Sequence, residues 1–202
     1  IADSIGKDLS IDADVDSKIH PMIGLKQKLL KETPKKSLSK YMKNSAKSMI
    51  KKGITTFIDF REGGLDGILL LKSALDNLPI RCIILGRIEH YNTKNEIKQN
   101  MPLPKEHIKQ LTQLLKNCDG IGISGTNENS NSNLQSYAKT KKIRAIHAAE
   151  TKDSVNASKK LTAKSEIQRT MLLRPSFLIH MTFATKNDLK LAAKNTRGIV
   201  IC

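Results

Sequence analysis

Six short apolar runs, each separated from the next by a stretch with helical spacing, restrict this chain to an alternating α/β fold. The runs are Ile54-Thr-Thr-Phe-Ile-Asp-Phe60, Ile80 to Leu85, Gly120-Ile-Gly-Ile-Ser124, Ile143-Arg-Ala-Ile-His-Ala148, Phe177-Leu-Ile-His180 and Gly198-Ile-Val-Ile-Cys202. Their almost wholly apolar character predicts parallel strands in a sheet buried on both faces. Helices are predicted from residue 34 to a stop at Gly53, over Leu65 to Leu78, over Lys105 to Cys118, around Leu134 to Thr140, over Ser165 to Leu173 and up to Lys194. Thr33-Pro34 reads as an N-cap followed by proline at the first helical position, and Thr185-Lys-Asn-Asp188 as a capping box. In the helix from Lys105, the residues Ile108, Leu111, Leu115 and Cys118 form the apolar side. A closed barrel and an open doubly wound sheet both satisfy this alternation. Neither GxGxxG nor GxxxxGK[ST] follows any strand, so the common phosphate-binding loops have no support.

Residues 1–33 show no clear periodicity, and the acidic stretch Asp8 to Asp16 with the His20-Pro21 step reads as a long loop. A loop of that length in a compact domain suggests a function such as a lid over an active site. His20 either reaches a substrate from there or is a plain surface histidine. Residues 34–202 carry the alternating units of one domain, since 202 residues suit a single core.

A net charge of +16 raises the question of nucleic acid. Between Lys26 and Lys52 stand ten lysines and one acid, Glu32. Lys40, Lys43, Lys47 and Lys51 nevertheless recur every three to four residues, opposite Tyr41, Met42, Ala46, Met49 and Ile50. That is the solvated side of an amphipathic helix. The chain holds only three tyrosines, four phenylalanines and no tryptophan, and none interleaves with the lysines as a stacking platform. The reading is therefore against nucleic acid, with polyanion binding the alternative. No run approaches the roughly 18 apolar residues of a membrane span. Three cysteines with no CxxC pair read as reduced thiols of a cytoplasmic protein.

The chemistry concentrates in Ile143-Arg-Ala-Ile-His-Ala-Ala-Glu150. Ile143, Ala145 and His147 fall on one side of an extended strand, Arg144, Ile146 and Ala148 on the other. His147 stands where that strand stops and Glu150 on the loop after it, the end of a parallel sheet where sites collect. Phe177-Leu-Ile-His180 repeats the format. Two imidazoles and a carboxylate at neighbouring strand ends suit a metal site, because neutral imidazole is a common ligand of divalent ions. Such an ion lowers the pKa of a bound water from about 15.7 to about 7. A nearby carboxylate can then pass a proton to a departing nitrogen, worth about 10² to 10⁴ in rate. Asp59, Arg61, Glu62, Arg87, Glu89 and His90 lie at or just past other strand ends. Of these, Arg61 and Glu89 are the candidate substrate contacts, with ordinary loop polarity the competing explanation.

Three stretches, Gly53-Ile-Thr-Thr-Phe-Ile-Asp-Phe60, His147-Ala-Ala-Glu-Thr151 and Ile179-His-Met-Thr-Phe-Ala-Thr185, resemble the amidohydrolase superfamily, in particular its metal-dependent deaminases and chlorohydrolase-like enzymes. The resemblance runs over almost the whole chain in the right order. It implies a (β/α)8 TIM-barrel type of fold, incomplete here, with about strands two to seven present. By the same resemblance His147 is a metal ligand, Glu150 the proton shuttle, and His180 a contact to substrate or to the activated water. It also implies a first-strand His-x-His and an eighth-strand Asp that this chain does not contain, and a second histidine where Phe183 stands. By the same resemblance, members with two metals bridge them with a modified lysine at the end of the fourth strand; Gly120-Ile-Gly-Ile-Ser-Gly125 holds no lysine, which implies a single divalent ion, zinc before iron. The unrelated cysteine-based deaminase signature, H-x-E with P-C-x-x-C, is missing.

The expectation is thus a metal-dependent hydrolase of non-peptide carbon–nitrogen bonds, deaminating a nucleobase-like small molecule, with homo-oligomerisation open. Val200-Ile-Cys202 stops inside what reads as a buried strand, so the chain is expected to be a piece of a longer protein, and inactive alone. The alternatives are a non-catalytic binding module and an amide or halide hydrolase on the same scaffold.

Overall fold

The structure, a computed structural model, describes residues 24–201. His20 and the acidic stretch Asp8 to Asp16 lie outside the described residues. These divide into two compact units, one made of 24–59 with 66–83 and the other of 60–65 with 84–201. Strands β1 (Thr56–Arg61) and β2 (Arg81–Gly86) each begin in the first unit and end in the second.

In the first unit, α1 (Leu25–Glu32) corrects the loop expected for residues 1–33. Its eight residues are two turns, too short for a 3.6-residue period to stand out. The Thr33 hydroxyl donates back to the Leu29 carbonyl at 2.6 Å, closing α1 rather than capping the helix ahead. Pro34 takes the N-cap position, and α2 runs over Lys35–Lys51. Its Leu38, Met42 and Ala46 are buried, while Lys40, Lys43, Lys47 and Lys51 are exposed, as the spacing predicts. Gly53 ends the segment at φ 80°, a conformation that favours glycine. Helix α3 (Gly64–Leu75) adds Ile68, Leu71 and Ala74 to the same core.

The second unit continues through α4 (Lys94–Lys98), α5 (Lys105–Lys116), β3 (Gly120–Ile123), α6 (Asn131–Tyr137) and β4 (Ile143–Ala148). Then follow α7 (Lys152–Thr162), α8 (Glu166–Thr170) with a 3₁₀ turn at Met171–Leu173, β5 (Phe177–His180), α9 (Lys186–Asn195) and β6 (Ile199–Val200). Two of these helices escape the periodicity. Helix α4 is a single turn built on a Thr93–Glu96 capping box. Helix α7 buries Ser158, with Val155 and Leu161 half-buried, and offers too few apolar residues for its period to stand out. On α5 the buried side chains are Leu111 and Leu114, with Cys118 just beyond, whereas Ile108 is exposed.

The strands lie in the sheet in chain order, β1 to β6, and every pair from β2 to β6 is parallel. A doubly wound sheet reverses its strand order at a switch point. Unbroken succession is instead the winding of a (β/α)8 barrel. Burial on both faces holds for β3, whose four residues are all buried, and less so at the two ends of the order. Ile58 on β1 and Ile199 and Val200 on β6 are exposed, which corrects the expectation of a buried last strand. Among the described residues, β1 and β6 have a neighbour on one side only. No described helix is long and apolar enough to cross a membrane.

Candidate metal-binding site

β4 and β5 run parallel in register, with His147 opposite Ile179 and Ala148 opposite His180. Extended pairing alone would put the His180 side chain on the face of Ala148, away from His147. The backbone breaks that alternation: φ is 74° at His180 and 62° at Met181. The His180 Nε2 consequently comes within 3.0 Å of His147 Nδ1, with ring centroids 5.0 Å apart. Met181 N–H donates to the Ala148 carbonyl at 2.9 Å and Phe183 N–H to the Ala149 carbonyl at 2.8 Å, tying the turn after β5 to the end of β4. Ala149 is also left-handed, φ 49°. Strained backbone at three non-glycine residues around two strand ends is the kind of local cost found at functional sites.

Glu150 sits in the turn from β4 into α7, and Thr151 caps that helix by accepting the Ser154 N–H at 3.0 Å. Its carboxylate lies 3.4 Å from His180 Nε2 and 3.8 Å from His147 Nδ1. All three side chains are partly open to solvent, the imidazole of His180 least. The His147 imidazole, with that of His180 beside it, holds the Glu150 carboxyl below its usual range against the opposing effect of burial. Burial pulls the His180 imidazole down against the opposing pull of Glu150, which favours the neutral form that can donate a lone pair. The ring of Phe60 packs edge-on against His147, centroids 4.9 Å apart. Gly122 makes room for it, since a Cβ there would stand 2.5 Å from the Phe60 ring.

Among the described residues, His147, Glu150 and His180 are the one group of three whose donor atoms could hold a metal ion. His147 Nδ1 and His180 Nε2 stand 3.0 Å apart, one Glu150 oxygen lies 3.4 Å from the second and the other 3.8 Å from the first, and one donor atom from each residue lies within 4.8 Å of the other two. A tetrahedral ion with bonds of about 2.0 to 2.1 Å spaces its ligand atoms by about 3.4 Å. Three protein ligands also leave a coordination position for water or substrate.

The structure does not bring the remaining candidates into this group. Arg61 is buried and bonds Glu62 at 3.0 Å, and the other Glu62 oxygen takes Arg87 at 3.1 Å. Glu89 accepts the Gly63 N–H at 3.1 Å. His90 lies against His107, ring centroids 4.4 Å apart. Phe183 is exposed, with the Lys152 ammonium 5.8 Å from its ring centre. Sequence reasoning missed Phe60 as a neighbour of His147 and the left-handed backbone at Ala149 and His180. It also missed the buried carboxyl of Glu166, whose Oε2 lies 2.9 Å from Ser154 Oγ. The spacing Ser165-Glu-Ile-Gln168 signals a capping box at that helix start, but nothing in it signals burial.

Parallel strands in unbroken succession, with imidazoles and a carboxylate gathered at their C-terminal ends, define a (β/α)8-type protein with a candidate metal site. The chain belongs to the amidohydrolase family, whose model matches residues 13–202. It is 32% identical over 210 residues to a Methanothermobacter thermautotrophicus protein named "Putative aminohydrolase", covering 100% of this chain and 52% of that one. It is 34% identical over 215 residues to an uncharacterized protein of Methanocaldococcus jannaschii, with the same coverage. The chain thus spans about half the length of the curated relatives it matches.

Proposed function

We propose that this chain is the part of a metal-dependent hydrolase that carries its fifth- and sixth-strand chemistry, and that the whole protein cleaves non-peptide carbon–nitrogen bonds. The observation that carries the reading is the meeting of His147, His180 and Glu150 at two adjacent strand ends. A divalent ion, zinc before iron, would supply an activated water near neutral pH. His147 helps to hold the ion, and His180 binds it or orients the water and the substrate. Glu150, kept ionised by its two imidazole neighbours, takes a proton and delivers it to the leaving nitrogen. Family membership supports hydrolysis, and the name "Putative aminohydrolase" of one relative supports hydrolytic loss of an amino group; a small, nucleobase-like substrate is our proposal.

The test uses the full-length protein, loaded with Zn²⁺ and screened for ammonia release from aminated heterocycles. Glu150→Gln is expected to lower turnover by at least about 10²-fold while leaving the metal content at saturating Zn²⁺ unchanged. Unaltered turnover in that variant removes the proton-shuttle role, and a native protein that neither binds metal nor releases ammonia removes the reading.

A further inference from the structure

Ser154 Oγ lies 2.9 Å from the Thr151 carbonyl and 2.9 Å from Glu166 Oε2. A serine hydroxyl has one proton to donate. With Glu166 ionised, both neighbours are pure acceptors. Although the Thr151 carbonyl also takes the Val155 N–H at 3.3 Å, one of the two 2.9 Å oxygen–oxygen contacts is left with no proton between its atoms. With Glu166 protonated, its O–H donates to Ser154 Oγ, Ser154 donates to Thr151, and the chain of bonds closes. The surroundings favour the same state. Glu166 is 3% exposed, and the charges facing it are Glu128, from the segment between β3 and α6, and Arg169 on its own helix. Arg169 donates from Nε to Asn131 Oδ1 and from Nη2 to the Asn129 carbonyl, its Nη1 is buried without a hydrogen-bond partner, and it forms no ion pair with Glu166. Burial, reinforced by Glu128, pushes the Glu166 carboxyl up to about 7, against Ser154, Ala149 and Arg169.

The same carboxyl group grips the chain on both sides of Glu150. The N–H of Ala149, the left-handed residue just before Glu150, acts on it from one side, and its Oε2 meets Ser154 Oγ at 2.9 Å in the first turn of the helix just after. The Asn127 amide adds a bond to the Ser154 carbonyl at 2.9 Å. We propose that Glu166 is a positioning residue: carrying a proton, it ties Ala149 to Ser154 and so sets the turn that aims the Glu150 carboxylate at His147 and His180. This rests on the reading of that group as a metal site.

Glutamine at this position can accept from Ala149 and donate to Ser154, whereas alanine can do neither. In the full-length protein, Glu166→Gln is expected to keep Zn²⁺ affinity within about threefold of native, and Glu166→Ala to weaken it by about 10- to 100-fold, as measured by chelator competition. Infrared spectra of the native protein, which need no variant to fold, should show a neutral carboxylic acid band that fades as pH rises through about 7. That band should be absent from Glu166→Gln. A glutamine variant as damaged as the alanine one, native Zn²⁺ affinity in Glu166→Ala, or a native spectrum without the band would each overturn the proposal. Zinc binding that responds to residue 166 as expected, in a protein that hydrolyses nothing, supports the positioning role and refutes the hydrolase reading instead.

Discussion

A left-handed φ costs a non-glycine residue about 1 to 3 kcal/mol, and His180 and Met181 both carry one where the chain leaves β5. The return for His180 is geometric, because without the break its ring would share the face of Ala148 rather than meet His147. This separates two substitutions that otherwise look alike. His180→Gly is expected to be more stable than His180→Ala by about 1 kcal/mol, because glycine adopts the native φ freely. Urea midpoints of the two variants measure the difference, and equal midpoints would show that the backbone there relaxes. Both variants should lose Zn²⁺ affinity to the same extent, since both lack the imidazole. His147 and Glu150 were legible in the sequence as an HxxE at the end of an apolar run. The turn of the backbone at His180 was not, since nothing in Phe177-Leu-Ile-His180 marks a positive φ.

At the level of elements, the site depends on how β3 and α7 are built. Gly122 on β3 leaves the space that the Phe60 ring fills beside His147. Gly122→Ala is expected to cost about 1 to 3 kcal/mol by overpacking, and to weaken Zn²⁺ binding as the ring is pushed toward the imidazole. A variant with native stability would mean that Phe60 has room to move. Helix α7 fully buries no apolar side chain, so its first turn is held by its cap and by Glu166. Thr151→Ala should lose about 1 kcal/mol and speed hydrogen exchange at the Ser154 and Val155 amides, whereas Thr151→Ser should behave as native. Unchanged exchange in Thr151→Ala would show that Glu166 alone secures the turn. Helix α7 escaped hydrophobic periodicity because Val155, Ala157 and Leu161 are its only apolar residues, whereas the longer α2 offers Leu38, Tyr41, Met42, Ala46, Met49 and Ile50 opposite its lysines.

For the molecule as a whole, Glu166 sets a pH dependence whose sign follows from its environment. Its carboxyl titrates near 7 in the folded chain against an ordinary value of 4.5. Between those values the folded state holds a proton that the unfolded chain has released, so its contribution is full below 4.5 and lost as pH rises toward 7. The loss is on the order of a few kcal/mol. Glu166→Gln, which never ionises, should therefore gain on the native protein as pH is raised from 5 to 8, in paired thermal melts. Parallel melting curves across that range would mean that Glu166 stays charged when folded.

Alternation of apolar runs with helical segments determined the α/β class, and the residues closing the runs determined which side chains could do chemistry. Both are local properties, carried by spacing and by residue type. Barrel-type winding over the doubly wound alternative, the contact between His147 and His180, and the burial of Glu166 beside the Ala149–Ser154 turn were decided only in three dimensions. Each depends on which strands pair and on how the backbone leaves them, and hydrogen bonds between residues far apart in the chain set both.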